Sequence, residues 1–222
     1  MGDEHPLAGG GARKLRTDGA QARERVLLAA LQLFVARGYH NTSVREIAAQ
    51  ADVNSASIRY YFGDKAGLYR AALYEPVREH LSDERAPFDA PGLSLEQALR
   101  RYTRKRLLPL GGGELILLSV RLRMRESFEP TGLLDDESLK REQEQRLLQL
   151  LARALDVPQG DAELAALGYS IRALTAYPYL SREQICRADP ALFATPGALE
   201  VWVTRLTSYA CAMVEAERQR RR

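Results

Sequence analysis

The stretch VNSASIRYYFGDK, Val53–Lys65, decides how this chain is read. Its first helical positions, Ser55, Ala56 and Ser57, are small, and Arg59, Tyr60 and Tyr61 follow at once. A core helix would carry more aliphatic mass, and a plain solvent helix would not carry adjacent tyrosines. Only Val53, Ile58 and Phe62 are inward positions; Ile58 and Phe62 lie four apart, on one helical face. The rest form a polar, ring-bearing face that needs a polar partner.

The flanks supply the frame. Ser43-Val44-Arg45-Glu46 is a capping box, so a helix opens at Ser43 with Val44, Ile47, Ala48 and Ala51 inward. Asp52-Val53-Asn54 is a tight turn, and Asn54 or Ser55 caps the next helix. Two short helices joined in this way make a helix-turn-helix. Upstream, Leu27, Ala30, Leu31 and Phe34 form one apolar stripe on a helix from Ala20 to Gly38. Asp64 caps a longer helix running toward Asp83.

In such a unit the small residues let the second helix enter a major groove. Arg59 suits a two-pronged contact with a guanine edge. Tyr60, Tyr61 and the hydroxyls of Ser55 and Ser57 suit base or phosphate contacts. Thr42, Ser43, Asn54 and Lys65 flank helix starts, where backbone N–H groups favour phosphate. Charge agrees: Met1–Arg70 holds ten basic and seven acidic residues, and the remainder is neutral within a net +3. A solvated amphipathic hairpin is the plainer alternative on residues alone.

The elements VLLAALQLFVARGY, TSVREIAAQADVN and SASIRYYFGDKAGLYRAAL resemble the DNA-binding domain of the TetR family of bacterial regulators, over about Ala22 to Leu73. Asp52 stands at a turn position usually held by glycine, and Arg59 where many members have tyrosine. MRESFEPTGLLDD, Met124–Asp136, is similar to a segment of the CerR-type C-terminal domain subgroup. The resemblance implies a homodimer on double-stranded DNA carrying a palindromic operator, with a small-molecule effector that releases it. It implies a repressor, and a three-helix, homeodomain-like reading head on an all-α body.

The rest of the chain reads as helices. Ser94 caps one to about Arg106; others cover the stretch after Gly113 to about Phe128, roughly Asp135–Leu155, Asp161–Ala176, and from Thr195-Pro196 to the basic end. Three units follow: a disordered basic tail over 1–17, a helix-turn-helix domain over 18–65, and a helical effector-binding and dimerisation domain over 66–222. Arg13, Lys14 and Arg16 make the tail either a minor-groove arm or an idle basic segment.

Two late stripes stand out: Leu167, Ile171 and Leu174; and Leu199, Trp202, Val203, Leu206, Ala210 and Met213. The resemblance implies that these helices dimerise. Periodicity equally allows both stripes to face their own subunit's core. The effector contacts are expected among Tyr102, Arg121, Arg125, Phe128 and Tyr177, rings for an apolar body and arginines for an acidic or carbonyl group. Pro178 is expected to end or kink its helix.

GxSxG, GxGxxG, Walker A and HExxH motifs are absent, and all three histidines precede the C-terminal half. An enzyme is therefore the outlying alternative, no cofactor or metal is expected, and a DNA-binding dimer without an effector is the nearer one. No apolar run is long enough to span a bilayer, so no membrane partner is expected. Two cysteines without metal-ligand spacing, and no secretory signal, point to a cytoplasmic protein.

Overall fold

The computed structural model describes residues 10–78, 87–134, 138–193 and 195–222. Among these every regular element is helical. Four helices make the N-terminal unit: α1 (Gly10–Arg37), α2 (Val44–Gln50), α3 (Ser55–Phe62) and α4 (Lys65–Tyr74). Six more follow: α5 (Leu95–Leu107), α6 (Glu114–Phe128), α7 (Ser138–Leu155), α8 (Ala162–Leu180), α9 (Arg182–Ala188) and α10 (Pro196–Arg220). Short 3-10 turns at Leu108–Gly111 and Pro190–Phe193 join them.

The starts are written in side-chain chemistry. Ser43 and Glu46 form the expected reciprocal capping box, and so do Ser94 and Gln97. Asn54, Asp64, Asp161 and Thr195 each accept a backbone N–H of the first turn they cap. Each satisfies a donor that has no partner inside its helix.

Three elements depart from expectation. Helix α1 already runs from Gly10, so 10–17 of the expected disordered tail is helical; Ala12, Arg13, Lys14, Leu15 and Arg16 are all good helix formers. Residues 1–9 lie outside the described residues. Helix α4 stops at Tyr74, because Pro76 has no N–H to continue the ladder; most of the expected stretch toward Asp83 lies outside the described residues. Helix α8 continues through Pro178 to Leu180 instead of ending near Ala176. Pro178 is buried there, so packing holds the last turn across the missing hydrogen bond.

Three apolar clusters result. The first unites Leu31, Phe34, Ile47, Ile58, Leu68, Tyr69 and Leu73 with Leu122 of α6. Helix α4 thus shares the helix-turn-helix core, although the sequence assigned it beyond residue 65. The second gathers Leu99, Tyr102, Leu147, Leu151, Leu164, Ile171 and Val214. The third gathers Leu107, Leu110, Tyr179, Leu199, Val203 and Leu206.

Candidate nucleic-acid interface

The α2–α3 turn is built around one left-handed residue. Asp52 has φ of 52°, which aspartate tolerates better than bulkier side chains. The turn closes through Val53 N–H on the Ala48 carbonyl at 3.0 Å. After α3, Gly67 fixes how α4 departs: a Cβ there would lie 2.1 Å from the Phe62 carbonyl oxygen. Its N–H instead donates to Asp64 at 2.6 Å. Buried Ile58 anchors α3 to the core and turns its opposite face outward.

That outward face carries the residues expected from the sequence. Asn54, Ala56, Arg59 and Tyr60 are exposed, Tyr60 by 84%. Ser55, Ser57 and Tyr61 are half-buried beside them. The Tyr60 and Tyr61 rings meet edge-to-face at 5.1 Å, which fixes both directions. Asn54 spends its side-chain oxygen on the Ala56 N–H at 2.9 Å. Ser43 is exposed at the α2 start, and Arg45 is exposed in the first turn that follows. The sequence reading passed over Arg45, though its position in the first turn of α2 was a usable signal.

Helix α3 itself carries one cation, Arg59, and no carboxylate. Glu46 is neutralised locally: hydrogen bonds from Ser43 and the neighbouring Arg37 hold its carboxyl below the ordinary range. Among the described residues, Arg45 and Arg59 are paired with no carboxylate. Lys65 sits 4.2 Å from the Tyr39 ring centre, a cation–π contact that aims its ammonium. Burial pulls that ammonium below its usual value, opposed by Glu46.

One expected contact residue has a different job. Thr42 is buried, and its hydroxyl donates to the Gly38 carbonyl at 2.8 Å. It tightens the α1–α2 corner, so its side chain is not part of the outer face.

The reading head is tied to the C-terminal body through α4 and α6. Tyr69 donates to Glu126 at 2.6 Å, and the other Glu126 oxygen accepts Thr131 N–H and hydroxyl, each at 2.9 Å. Ser119 donates to the Leu73 carbonyl at 3.0 Å, and Arg125 to the Val35 carbonyl at 3.1 Å. The MRESFEPTG segment therefore forms the joint; Asp135 and Asp136 just beyond it lie outside the described residues.

An open cleft of about 340 Å³ sits beside this joint, lined by Val35, Arg121, Met124, Arg125, Phe128, Glu129, Tyr179 and Leu180. It unites three of the expected effector residues: Arg121, Arg125 and Phe128, the last 76% exposed. Tyr102 and Tyr177 do not join them. Tyr102 is buried against Phe88, ring centres 5.2 Å apart, and Tyr177 faces outward.

The two late stripes face inward in this chain, the other arrangement that periodicity allowed. Leu167, Ile171, Leu199, Val203, Leu206 and Ala210 are buried inside their own subunit, and Leu174, Trp202 and Met213 pack against the same clusters. Helix α10 lies on α5, where Glu200 accepts from Arg100 at 3.0 Å and Arg104 at 2.6 Å. Periodicity locates an apolar face but does not say which surface covers it, and here α5 covers it. The outer faces are others: Ala166, Tyr169, Ala173, Tyr177 and Leu180 on α8, and Val201, Thr204, Ser208, Tyr209 and Ala212 on α10.

The site is thus a capped helix-turn-helix whose exposed second helix is polar and carries Arg59, set on a body that is all-α among the described residues. Residues 26–72 match the family described as bacterial regulatory proteins, tetR family. It is 50% identical over 46 residues to a probable HTH-type transcriptional regulator, YttP of Bacillus subtilis, covering 21% of this chain and 22% of that one. It is 32% identical over 81 residues to the HTH-type transcriptional repressor BepR of Brucella suis, covering 36% and 39%. Identity to the HTH-type transcriptional dual regulator CecR of Shigella flexneri is 33% over 123 residues, covering 51% and 54%. The chain thus spans between about a fifth and just over half the length of these relatives. In fold it is similar to the TetR family regulator PfmR from Thermus thermophilus, with a TM-score of 0.57 at 18% identity over 86% of this chain and 97% of that one.

Proposed function

We propose that this chain is a cytoplasmic transcriptional repressor, not an enzyme, that binds a palindromic operator as a homodimer and is released by a small-molecule effector. The observation that carries the reading is the α3 face: Arg59 and Tyr60 exposed, with small residues at the helix start, on a TetR-family domain. Each subunit lays α3 in one major groove, with Arg59 on base edges. Tyr60, Tyr61, Lys65 and the Ser43 helix start hold phosphates and fix register. Half-sites then lie about one helical turn, or a multiple, apart.

Pairing uses the outer faces of α8 and α10. Tyr169 and Tyr177 are each 60% exposed, and Leu180, Val201 and Tyr209 are also largely uncovered. Alanines and serine between them permit close approach of a second copy. Two such helices, doubled about a two-fold axis, make a four-helix bundle. DNA reading belongs to the unit that ends with α4, and effector binding and dimerisation to the remainder of 66–222.

The effector acts on the joint. A ligand that shifts α6 moves α4 through Tyr69–Glu126 and α1 through Arg125, and so changes the spacing of the two reading heads. It must bind the two arrangements with different affinity, or no population shifts. The test is selection of a random duplex pool by the purified chain at near-physiological salt, followed by sequencing. An enriched palindrome supports the reading. Binding that enriches nothing and vanishes as salt rises would reduce the interface to non-specific charge.

A further inference from the structure

The open cleft beside the joint has one wall with a definite chemical order. Arg121, Met124, Arg125 and Phe128 line it from α6. They stand at i, i+3, i+4 and i+7, so one helical face presents two cations and two apolar side chains. Val35 of α1 and Tyr179 and Leu180 of α8 complete the lining with Glu129. The Tyr179 hydroxyl donates to the Arg106 carbonyl at 2.6 Å, so this residue brings ring surface to the cleft rather than a donor. Two large apolar side chains of the lining stand uncovered: Phe128 is 76% exposed and Leu180 57%. The volume, about 340 Å³, lies at the lower end of the range for small-molecule sites, roughly 300–1,000 Å³.

The charges are unevenly held. Two arginines four apart on one helical face repel each other. Their carboxylates are largely in solvent. Glu183 accepts from Arg121 at 3.2 Å with 73% of its side chain exposed, and Glu129 accepts from Arg125 at 2.8 Å with 66% exposed. Exposed pairs of this kind contribute little and are screened by salt. Of the charged residues in the lining itself, Glu129 stands against two guanidinium groups. A guanidinium matches a carboxylate through two parallel N–H bonds. Apolar surface interleaved with a pair of cations fits a molecule with an apolar body and one acid group.

We propose that this cleft binds an amphipathic organic acid, with its carboxylate on Arg121 and Arg125 and its apolar body along Met124, Phe128 and Leu180. This rests on the effector-released reading given above and names the effector's class and its site. The acid takes Arg121 from Glu183, the longer of the two ion pairs. Arg125 also donates to the Val35 carbonyl at 3.1 Å, and a Cβ at Gly38 would lie 3.1 Å from its Nη2. The same guanidinium therefore holds the C-terminal end of α1, the first helix of the reading head. A carboxylate that draws Arg125 away from Val35 loosens α6 from α1. The ligated and empty states then place the reading head differently, and the acid binds the two with different affinity, as release requires.

The test is thermal unfolding of the full chain with octanoate, laurate, phenylbutyrate and naphthylacetate, each beside its primary amide, followed by calorimetry with the strongest acid. The acids raise the midpoint with the logarithm of their concentration, and the amides do not. Arg121→Gln weakens the strongest acid about tenfold, the loss of a charge-assisted bond. Glu183→Gln tightens it about twofold to fivefold by removing an exposed competitor, a gain that a purely structural role would not produce. Phe128→Ala weakens it about fivefold through lost apolar contact. Without ligand, all three variants unfold within about two degrees of the parent, as surface changes do. Arg104→Gln, which removes a partner of Glu200 on α10, leaves acid binding unchanged. The proposal is overturned if the acids shift parent and Arg121→Gln alike, if Glu183→Gln binds no tighter, or if the amides match the acids. It is overturned too if no acid binds, and operator release by uncharged compounds then decides the effector-released reading by itself. Acids that bind with this pattern of variants but leave operator affinity unchanged would keep the site and refute release instead.

Discussion

Replacing Tyr69 by phenylalanine isolates the joint between reading head and body. Tyr69 is buried, and its ring meets Phe34 and Tyr39 at 5.0 and 5.1 Å between centres. Phenylalanine keeps those contacts and leaves no cavity. What is lost is one hydrogen bond, at 2.6 Å, from the phenol to the Glu126 carboxylate. Burial and that carboxylate push the phenol well above its ordinary value, so it is a donor throughout the working range. A hydrogen bond to a charged group contributes about 1.5–3 kcal/mol. Glu126 keeps both Thr131 donors on its other oxygen, so the carboxylate is not orphaned and the loss falls near the lower end, about 2 kcal/mol. Urea unfolding at one fixed protomer concentration measures it, with unchanged slope. Glu126→Gln and the double variant complete a cycle whose coupling energy is about 1 kcal/mol or more. A Tyr69→Phe protein within about 0.5 kcal/mol of the parent, the range of ordinary surface changes, would refute the bridge and with it the proposed route of signal transmission.

Other consequences are as direct. Arg59→Ala costs about 1–3 kcal/mol per half-site and relaxes base preference, whereas Lys65→Ala weakens all sequences alike and lowers the salt slope by about one; binding titrations over a salt series separate the two. Asp161 caps α8 and takes two hydrogen bonds from Arg221, which pull its carboxyl from 3.8 to about 2. A depressed acid contributes fully above its unfolded value and less as pH falls through its folded one. The stability difference between parent and Asp161→Asn should therefore shrink between 3.8 and about 2; a constant difference across urea midpoints in that window would contradict this. Tyr169→Glu with Tyr177→Glu should give monomers in sedimentation, and a dimer of unchanged strength would move the interface elsewhere. Leu206→Ala should cost about 2–5 kcal/mol of stability, as a core truncation does, and an unchanged urea midpoint would remove Leu206 from the core.

The helix-turn-helix was legible because local chemistry determines it. Ser43, Glu46, Asn54 and Asp64 act on their own next turn, and Asp52 adopts the left-handed turn by its own side chain. Ile58 and Phe34 followed from periodicity alone. The expected pairing and effector residues were less legible because their surroundings depend on distant packing. The Leu199–Met213 stripe has the spacing of an interface, yet α5, far away in sequence, covers it. Tyr102 and Tyr177 have the right chemistry for a pocket but face a core and the outer surface. Thr42 shows the limit at short range: a hydroxyl beside a helix start can serve the corner rather than a ligand.

The central claim is that α3 reads the major groove, and a deazapurine scan of the selected operator tests it most directly. Each substitution replaces the major-groove N7 acceptor by carbon and leaves base pairing intact. The account predicts affinity losses at purines in two clusters, spaced by about one helical turn or a multiple, and no further loss at the Arg59 position when Arg59→Ala is used. Affinity unchanged at every substituted purine, with binding still specific, would mean that another element or another groove does the reading.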